Sequence, residues 1–374
     1  FCTFVTYLVI QYYLPVAHDK DKIIPGQGSQ LNMHNRFDKL DRSGKANYND
    51  EPYNEDEGDK EKTQYIKIYP KTLINKVTSP DVRMPYSANP YQGCEHGCIY
   101  CYARITHNYW GYSAGVDFER KILYKENAPE ILTSEFEKKS WQGELVVLSG
   151  NTDCYQPAEK HLKITRKMLR VFELYNNPVG IITKNSLVER DIDILAPMAE
   201  KNLAQVIITI NSMDESLRRK MEPRTASAAK KFQTIRKLTD AGIPVMLMIS
   251  PIIPSINDNH LLEIMKKGAE AGAIAVTYVM VRLNGDVATI FKDWVQKAYP
   301  DKAERVIHQI ESLHGGSTED HRFSIRMRGE GNFADIIRQQ FMLGKKKYFN
   351  DGSLPEVDSS LFKRFGNGQL SLFE

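Results

Sequence analysis

A chain of 374 residues, of which 41% are hydrophobic, can bury one large core or two modest ones. Five cysteines, three of them within eight residues, argue against a disulfide framework and for a reducing compartment, which we take to be the cytoplasm. The formal net charge of +3 combines an acidic beginning with a mildly basic remainder. That balance suits nucleic-acid binding and many enzymes equally well.

The first 62 residues are predicted to form a largely disordered N-terminal extension. Residues 1–17 are apolar and uncharged, but the run is short for a membrane span, includes Gln11 and lacks the basic start of a signal peptide. We interpret this run as translated upstream sequence, with Val16 as a candidate start, and prefer that interpretation to a membrane anchor. Residues 38–62 are polar and acidic with almost no aliphatic side chains, which predicts a disordered linker.

Cys94, Cys98 and Cys101 form a C-x3-C-x2-C motif, which supplies three thiolates to a metal centre and withholds a fourth. A [4Fe–4S] cluster normally takes four cysteine ligands, so three leave one iron open to a reactive ligand. Gly93 and Gly97 let the backbone of this loop curl tightly around such a centre.

A zinc site is the alternative, with His96, His107 or Cys154 completing a tetrahedron. Zinc ribbons and knuckles place C-x2-C pairs on both sides of the ion, and this sequence contains no matching second pair. The motif therefore favours the iron–sulfur cluster.

The motif, with the aromatic Tyr100 just before its last cysteine, resembles the signature of the radical S-adenosylmethionine (SAM) superfamily. The resemblance implies that Cys94, Cys98 and Cys101 each bind one iron of a [4Fe–4S] cluster, while the amino and carboxylate groups of SAM bind the fourth. It also implies that one electron, from a donor such as flavodoxin or ferredoxin, splits SAM into methionine and a 5′-deoxyadenosyl radical. Tyr100 is expected among the residues that contact SAM. The protein orients and shields this chemistry, which the cofactors supply.

From residue 87 onward, short β-branched runs alternate with amphipathic stretches, as in the βα units of a parallel sheet. The predicted strands are residues 87–91, 144–149, 179–183, 205–210, 244–249 and 275–283. The predicted helices between them are residues 159–175, 187–201, 227–241 and 259–271. These units predict an α/β fold with a partial (β/α)6 TIM-type barrel of the radical SAM type over residues 63–300. Active sites of such barrels gather at the carboxyl ends of the strands.

Ser149, Gly150, Asn151 and Asp153 follow the second predicted strand. At this position radical SAM enzymes carry a motif that binds the amino group of SAM, so the resemblance implies the same role here. A backbone opened by Gly150 suits an ammonium ligand, and the Asp153 carboxylate can pair with its charge. The alternative is a helix N-cap, because Asn and Asp side chains cap helices well.

Polar residues also follow the third and fourth predicted strands. Lys184 is expected to pair with the SAM carboxylate, or else to be a solvated lysine beside a helix cap. Asn211 and Ser212 are candidate ligands of the ribose or the carboxylate. Further along the chain, Glu222 and Arg224 are expected either to form a structural ion pair or to place Arg224 in contact with SAM.

The segments CIYCY, SGNTDCYQP, TKNS and MEPR together resemble the branch of the superfamily related to spore photoproduct lyase, the lyase-like DNA repair photolyases. The resemblance runs from about residue 26 to the end, and it is stronger to a bacterial subgroup of this branch than to the lyase itself. It implies a DNA substrate, on which the adenosyl radical abstracts a hydrogen atom from a cross-linked thymine dimer.

The same resemblance assigns residues to the return of the hydrogen atom, which the lyase performs with a cysteine and neighbouring tyrosines. Tyr100 and Tyr102 match the two tyrosines around the last cluster cysteine. Cys154 falls in the region of the donor cysteine, but it stands just after Asp153 rather than before the aspartate. A hydrogen donor and a structural thiol are therefore both kept as interpretations of Cys154.

Residues 301–349 are predicted as a C-terminal α/β extension. Within it, Arg322, Arg326 and Arg328 alternate with apolar residues, so a strand there presents three arginines on one face. That face either grips phosphates or is a solvated edge. Three aromatic residues after the cysteine motif either stack on a base or pack in the core, and they are Tyr109, Trp110 and Tyr112.

Residues 350–374 are predicted as a flexible tail. Near its end, Gln369-Leu370-Ser371-Leu372-Phe373 resembles the peptide by which bacterial polymerases and repair proteins bind the sliding clamp of replication. The alternative is that these side chains anchor the C-terminus against the barrel.

The leading interpretation is a radical SAM enzyme, of the spore photoproduct lyase type, that repairs or modifies DNA. A peptide- or protein-modifying radical SAM enzyme is the first alternative, although such enzymes often carry further cysteines for auxiliary clusters and this chain has none after Cys154. The second alternative is a non-catalytic nucleic-acid-binding iron–sulfur protein, which would not need SAM ligands at the strand ends.

Overall fold

The computed structural model describes residues 23–33, 35, 62–82 and 84–366. The apolar run at residues 1–17, nearly all of the acidic linker and the clamp-like peptide at residues 369–373 lie outside the described residues. No helix within the described ranges is long and apolar enough to cross a membrane.

Ten strands and eleven α-helices are present in the described part of the chain. The strands are β1 (Gln64–Ile68), β2 (Ile74–Lys76), β3 (Tyr86–Ala88), β4 (Tyr91–Gln92), β5 (Lys121–Lys125), β6 (Val146–Leu148), β7 (Val179–Thr183), β8 (Ala204–Thr209), β9 (Val245–Ile252) and β10 (Ala275–Met280). The helices are α1 (Asp117–Arg120), α2 (Ala128–Phe136), α3 (Glu159–Leu162), α4 (Ile164–Tyr175), α5 (Ile192–Ala199), α6 (Glu215–Met221), α7 (Ala228–Asp240), α8 (Leu261–Glu270), α9 (Asp286–Ala298), α10 (Ala303–Leu313) and α11 (Gly331–Phe349).

Seven strands form the main sheet, in the order β10-β9-β8-β7-β6-β3-β2. Neighbouring strands run parallel, except that β2 pairs antiparallel with β3. Among the described strands β2 and β10 are the two edges, so this sheet stays open rather than closing into a full barrel. Six parallel strands that alternate with helices confirm the predicted α/β fold with a partial (β/α)6 barrel.

The central strands are short runs of β-branched and aliphatic residues that are buried on both faces, as parallel strands under helices must be. The run VGIIT forms β7, which pairs with β8 in register from Val179 opposite Ala204 to Thr183 opposite Ile208. The helix α7 begins one residue after its predicted start, because Ser227 caps it: the Ser227 side chain accepts a hydrogen bond from the backbone N–H of Lys230. Sheet and helices together enclose one large hydrophobic core.

The predicted helix at residues 159–175 is two helices, α3 and α4. Lys163, between them, has a φ of 54°, in the left-handed region that ends a helix. The Glu159 carboxylate accepts hydrogen bonds from the backbone N–H groups of Thr165 (2.9 Å) and Arg166 (3.3 Å). It therefore satisfies the first free donors of α4 from the preceding helix.

A second, three-stranded sheet has the order β1-β5-β4. In it β5 runs parallel to β1 and antiparallel to β4. Because β4 ends at Gln92, this small sheet carries the chain directly into the cysteine motif. The sequence pattern predicts neither β1 nor β5.

Residues 322–329 form turns between α10 and α11 rather than the predicted strand. In place of a strand pairing, single contacts hold this segment along the edge of the main sheet. The backbone N–H of Met280, on β10, donates to Met327 O at 3.0 Å. The Arg328 guanidinium donates to Tyr278 O at 2.6 Å and lies over the Tyr278 ring. The arginines of this segment therefore do not share one strand face.

Residues 350–366, the described part of the predicted flexible tail, lie against the barrel. Gln205 Nε2 donates to Pro355 O at 2.6 Å. The Phe362 ring stacks on Tyr175, and the backbone N–H of Lys363 donates to Tyr175 O at 3.0 Å. These contacts correct the prediction of a mobile tail for this part of it.

Candidate active site

The cysteine loop, residues 94–101, is fixed at three points of its backbone. The N–H of Cys94 donates to Phe118 O at 2.8 Å, and the N–H of Ile99 donates to Met221 O at 3.1 Å. The N–H of Cys101 turns back to Cys98 O at 3.3 Å. The loop is thereby tied both to α1 and to the end of α6.

The three thiols of this loop are largely buried and lie close enough to influence one another. Burial raises the pKa of Cys94 well above its usual range, and the charges of Asp153, Cys98 and Cys101 add to that rise. Burial likewise raises the pKa of Cys98 and of Cys101. Thiolates are costly in such a place unless a cationic metal centre binds them. The donor set therefore fits an iron–sulfur cluster.

The zinc alternative finds little support in the positions of its proposed fourth ligands. His96 Nδ1 lies 3.3 Å from Asp153 Oδ2, and its Nε2 lies 3.1 Å from Asn185 Nδ2. His107 is buried against Phe118, and Cys154 belongs to the main hydrophobic core. Across the described residues, no three His, Cys, Asp or Glu side chains converge as ligands of a single metal ion do.

Asp153 joins the loop after β6 to the loop after β7 and to the cysteine loop. Its carboxylate accepts hydrogen bonds from Thr183 Oγ1 at 2.9 Å and from the backbone N–H of Lys184 at 2.8 Å, and it faces His96. Burial raises the pKa of Asp153, but His96 and the hydrogen bonds outweigh burial, so the pKa is lowered overall. The carboxylate is thus held in its charged form within the site.

The other predicted residues after β6 form a tightly bonded loop. Ser149, with a φ of 71°, accepts a hydrogen bond on its side chain from the backbone N–H of Cys154 at 2.8 Å. Gly150 O accepts a hydrogen bond from the Tyr102 hydroxyl at 2.6 Å. Asn151 Nδ2 donates to Gln92 Oε1 at 3.1 Å. The loop is therefore in direct contact with the residue that follows the last cysteine of the motif.

A fully buried carboxylate, Glu222, gathers the predicted residues of the third and fourth strand ends. Lys184 Nζ lies 3.1 Å from one of its oxygens and Lys231 Nζ lies 3.4 Å from the other. The Tyr100 hydroxyl donates to Glu222, and Asn211 Nδ2 donates to that hydroxyl at 3.1 Å. We call these five residues the Glu222 group.

The Glu222 group carries a surplus of positive charge, because two lysines surround one carboxylate. Burial lowers the pKa of Lys184 to about 8, and the neighbouring Lys231 also lowers it. Glu222, Lys184 and Lys231 all act electrostatically on Cys98. The group and the cysteine loop therefore form one site at the carboxyl ends of the strands.

The predicted pairing of Glu222 with Arg224 is wrong. Arg224 turns to the cysteine loop instead, where Nη1 donates to Glu95 O at 2.9 Å and the backbone N–H donates to His96 O at 3.3 Å. Lys231, which takes the place of Arg224 beside Glu222, lies on α7 and appears in the sequence as one of several helix lysines.

Cys154 is fully buried within the main hydrophobic core. Its backbone O accepts a hydrogen bond from Thr165 Oγ1 at 2.7 Å. Burial and the charge of Asp153 raise the pKa of its thiol well above the usual range, although the Ser149 hydroxyl opposes this rise. The side chain is therefore a neutral thiol.

Two buried residues behind the cysteine loop carry no signal in the sequence. Arg104 Nε donates to Cys98 O at 2.9 Å, and Arg104 Nη2 lies 2.6 Å from Glu119 Oε1. Glu119 in turn accepts hydrogen bonds from the backbone N–H groups of Gly28 (3.0 Å) and Ser29 (2.6 Å). Residues 23–33, part of the extension predicted to be largely disordered, therefore pack behind the loop.

Residues 88–268 match the radical SAM superfamily. An uncharacterized protein of Mycobacterium tuberculosis is 31% identical over 238 residues, which cover 63% of this chain and 70% of the relative. An uncharacterized protein of Methanocaldococcus jannaschii is 29% identical over 243 residues, which cover 65% of this chain and 86% of the relative.

Two solved structures of spore photoproduct lyase share the fold. One variant of the lyase aligns with a TM-score of 0.56 at 16% identity, covering 76% of this chain and 79% of the lyase chain. The lyase complexed with dinucleoside spore photoproduct aligns with a TM-score of 0.55 at the same identity and coverage.

Proposed function

Because the chain belongs to the radical SAM superfamily, whose members use a [4Fe–4S] cluster and SAM, we propose that it cleaves SAM and directs the resulting radical at a nucleic acid. The observation that carries this proposal is the set of three largely buried thiols beside the charged Glu222 group at the carboxyl ends of the main sheet. When both cofactors are bound, the reduced cluster would supply the one electron that splits SAM into methionine and a 5′-deoxyadenosyl radical.

Cys94, Cys98 and Cys101 are the proposed cluster ligands. Arg104 fixes the loop through Cys98 O, and the charges of Arg104 and Lys184 oppose the rise that burial causes in the pKa of Cys101. Both effects favour thiolates in the orientation that the loop imposes. Arg224 supports the same loop through Glu95 O, and its contact with SAM stays a prediction.

Lys184 is the proposed partner of the SAM carboxylate. The Glu222 group holds one more positive than negative charge in a place with little solvent, and an anionic ligand would balance it. Tyr100 and Asn211, which are hydrogen-bonded to each other within this group, are the proposed neighbours of SAM on the same side.

The loop after β6 is the proposed site of the SAM amino group. Its acceptors are Gly150 O and the side chains of Ser149 and Asn151, all at the end of a parallel strand. Asp153 lies behind them with its oxygens held by Thr183 and Lys184, so we propose that it acts on the ammonium through its charge.

A nucleic-acid substrate is supported by exposed aromatic side chains near the site. Tyr102, directly after Cys101, is 51% exposed although its hydroxyl is bonded to Gly150 O. Such a fixed and open ring is suited to stacking on an unpaired base. Repair of a DNA lesion by a lyase-type reaction is the finer proposal, and the fold shared with spore photoproduct lyase is compatible with it.

Anaerobic reconstitution with iron and sulfide, followed by reduction in the presence of SAM, tests the proposal. We expect about four iron atoms per chain and release of 5′-deoxyadenosine. Under the same conditions the protein is expected to convert lesions in UV-irradiated DNA and to leave intact DNA unchanged. A purified protein that holds one zinc per chain and no iron, or a reconstituted protein that does not cleave SAM, would contradict the radical function. Cleavage of SAM with neither DNA binding nor DNA turnover would contradict the substrate alone.

Cysteine variants separate the cluster ligands from the remaining buried thiol. Cys98→Ala is expected to lose iron and SAM cleavage together, because one of three ligands is gone. Cys154→Ala is the matched control for iron content, since this thiol lies in the hydrophobic core. Equal iron loss in both variants would mean that misfolding, not ligation, explains the effect.

A further inference from the structure

Arg282 lies just beyond the carboxyl end of β10. The backbone N–H of the preceding Val281 donates to Ile252 O at 2.9 Å, which fixes the chain at this point. The Arg282 side chain is partly buried and donates a hydrogen bond to Asp320 O at 3.3 Å. Within the part of the chain that the structure describes, no carboxylate oxygen lies within ion-pair distance of its guanidinium.

The two acidic residues whose charges act on Arg282 are already paired with other arginines. Asp320 accepts a hydrogen bond from Arg322 Nη2 at 2.8 Å. Asp81 accepts a hydrogen bond from Arg326. Arg282 is therefore a positive group with spare donors, held among carboxylates that are engaged elsewhere.

A second arginine makes this position still more positive. Burial lowers the pKa of Arg282, and the charge of Arg326 lowers it further, against the opposing effect of Tyr102. Arg326 is itself paired with Asp81, so the charge left without a carboxylate partner in the described part of the chain is that of Arg282. Arg326 also lies over the ring of Phe323, which is 55% exposed. Tyr102, whose ring is open to solvent, lies near enough to Arg282 to act on its charge, and Phe323 adds a second open ring beside Arg326.

We propose that Arg282 binds a backbone phosphate of a nucleic acid and so positions the substrate beside Tyr102. This inference rests on the proposed function. A guanidinium offers five N–H donors in a plane that matches phosphate oxygens, and Arg282 uses one of them. Unpaired bases on either side of that phosphate then stack on these open aromatic rings.

Salt-dependent binding of a fluorescein-labelled oligothymidylate, intact or UV-irradiated, tests the assignment by fluorescence anisotropy. Arg282→Gln is expected to bind about tenfold more weakly, and its slope of log affinity against log salt falls by about one. Arg282→Lys keeps the charge, so the slope recovers while the affinity recovers in part. Inorganic phosphate at constant ionic strength competes with the oligothymidylate on the wild type and less on Arg282→Gln.

Arg170→Gln is the matched control, because Arg170 lies on α4 and pairs with Glu173 at 2.8 Å; its affinity and slope stay at the wild-type values. Visible absorbance of the reconstituted cluster and a thermal melt verify that each variant is folded. Wild-type binding with an unchanged affinity and slope in Arg282→Gln overturns the assignment and leaves the nucleic-acid function standing. A wild type that binds neither form of the oligothymidylate overturns both.

Discussion

Gly28 lies directly against Gly97, in the middle of the cysteine loop. A Cβ atom on Gly28 would stand 1.6 Å from Gly97 O, a backbone atom that has no room to move. Gly97 itself has a φ of 69°, and the Glu119 carboxylate lies close to both glycines. The segment at residues 23–33 therefore supports the cysteine loop from behind, although it is far from the motif in sequence.

Gly28→Ala is expected to push this segment off the cysteine loop. Because the clash is with backbone, we expect the free energy of unfolding to fall by about 2 kcal/mol or more. Iron content after reconstitution should fall as well, since the loop loses its support. Thermal melts and iron analysis measure the two effects.

Gly26→Ala is the control for this substitution within the same segment. Gly26 has a positive φ, unlike Gly28, but no atom lies within 4 Å of its would-be Cβ. The free energy of unfolding of Gly26→Ala should then fall only by the backbone strain of about 1 kcal/mol. Its iron content should be unchanged. Similar iron loss in both variants would show that the contact with Gly97 is unimportant.

Glu222→Gln leaves two buried lysines, Lys184 and Lys231, without their anionic partner. We expect a loss of about 3–5 kcal/mol in the free energy of unfolding, as for a broken buried ion pair. The double variant Glu222→Gln with Lys231→Met restores the charge balance and should recover part of that loss. Glu263→Gln, at an exposed ion pair with Lys267 on α8, should cost less than about 1 kcal/mol. Equal effects at Glu222 and Glu263, measured by denaturant unfolding, would contradict the central role of the Glu222 group.

Cys154→Ala tests whether this buried thiol returns a hydrogen atom to the product. A thiol proton exchanges with solvent, so a donor cysteine passes deuterium from D2O into the repaired DNA. We expect this label in the wild-type product and its loss, with by-products, in Cys154→Ala. Loss of the fold or the cluster in this variant would instead identify a structural thiol.

Lys125 is predicted to destabilise the fold below pH 8. Burial lowers its pKa from 10.5 to about 8. Below pH 8 both the folded and the unfolded chain hold the proton, so the penalty for burying the charge is fully present. Between pH 8 and 10.5 the unfolded chain binds more protons, so stability rises with pH by on the order of 3 kcal/mol from this group.

Lys125→Met should therefore raise Tm at neutral pH, and its advantage over the wild type should shrink as the pH rises toward 10.5. Lys76→Met, at an exposed position on β2, is the control and should change Tm little at any pH. A Lys125→Met advantage that does not depend on pH would point to packing rather than charge.

The clamp-like peptide leads to a binding prediction that does not depend on the barrel. A synthetic peptide covering residues 366–374 should bind purified sliding clamp, with the Gln369 amide in a polar pocket and the Phe373 ring in an apolar groove. Gln369→Ala with Phe373→Ala should remove binding, and Ser371→Ala should keep it. Such a tail raises the local concentration of the enzyme near DNA. If neither the peptide nor the full chain binds the clamp, the alternative interpretation of this segment as a C-terminal anchor is favoured.

Local patterns in the sequence predict the main sheet well. The run VGIIT predicts β7 at its observed bounds, and the helix predicted at residues 227–241 is α7 to within one residue at each end, because both patterns depend on neighbouring residues. The same reasoning misses the break at Lys163. That break depends on the Glu159 carboxylate reaching forward to the next helix.

Contacts between distant segments account for what the sequence could not predict at the site. Lys184 is expected at the third strand end, but its partnership with Glu222 and Lys231 requires β7, α7 and the turn after α6 to meet. Gly28 falls within the extension predicted to be largely disordered, yet its backbone N–H donates to the buried Glu119. The segment around Gly28 is ordered by an acceptor that is distant in sequence, so no periodic pattern in its own residues predicts that order.

The turn segment along β10 has a consequence for how copies of this protein meet. A strand at an open sheet edge is a template on which another chain can add its own strand. Here the Met280 N–H and Tyr278 O, which face that edge, are occupied by Met327 O and the Arg328 guanidinium. The hydrogen-bonding row of this edge is interrupted at these two positions, which disfavours the addition of a strand from another copy of the protein.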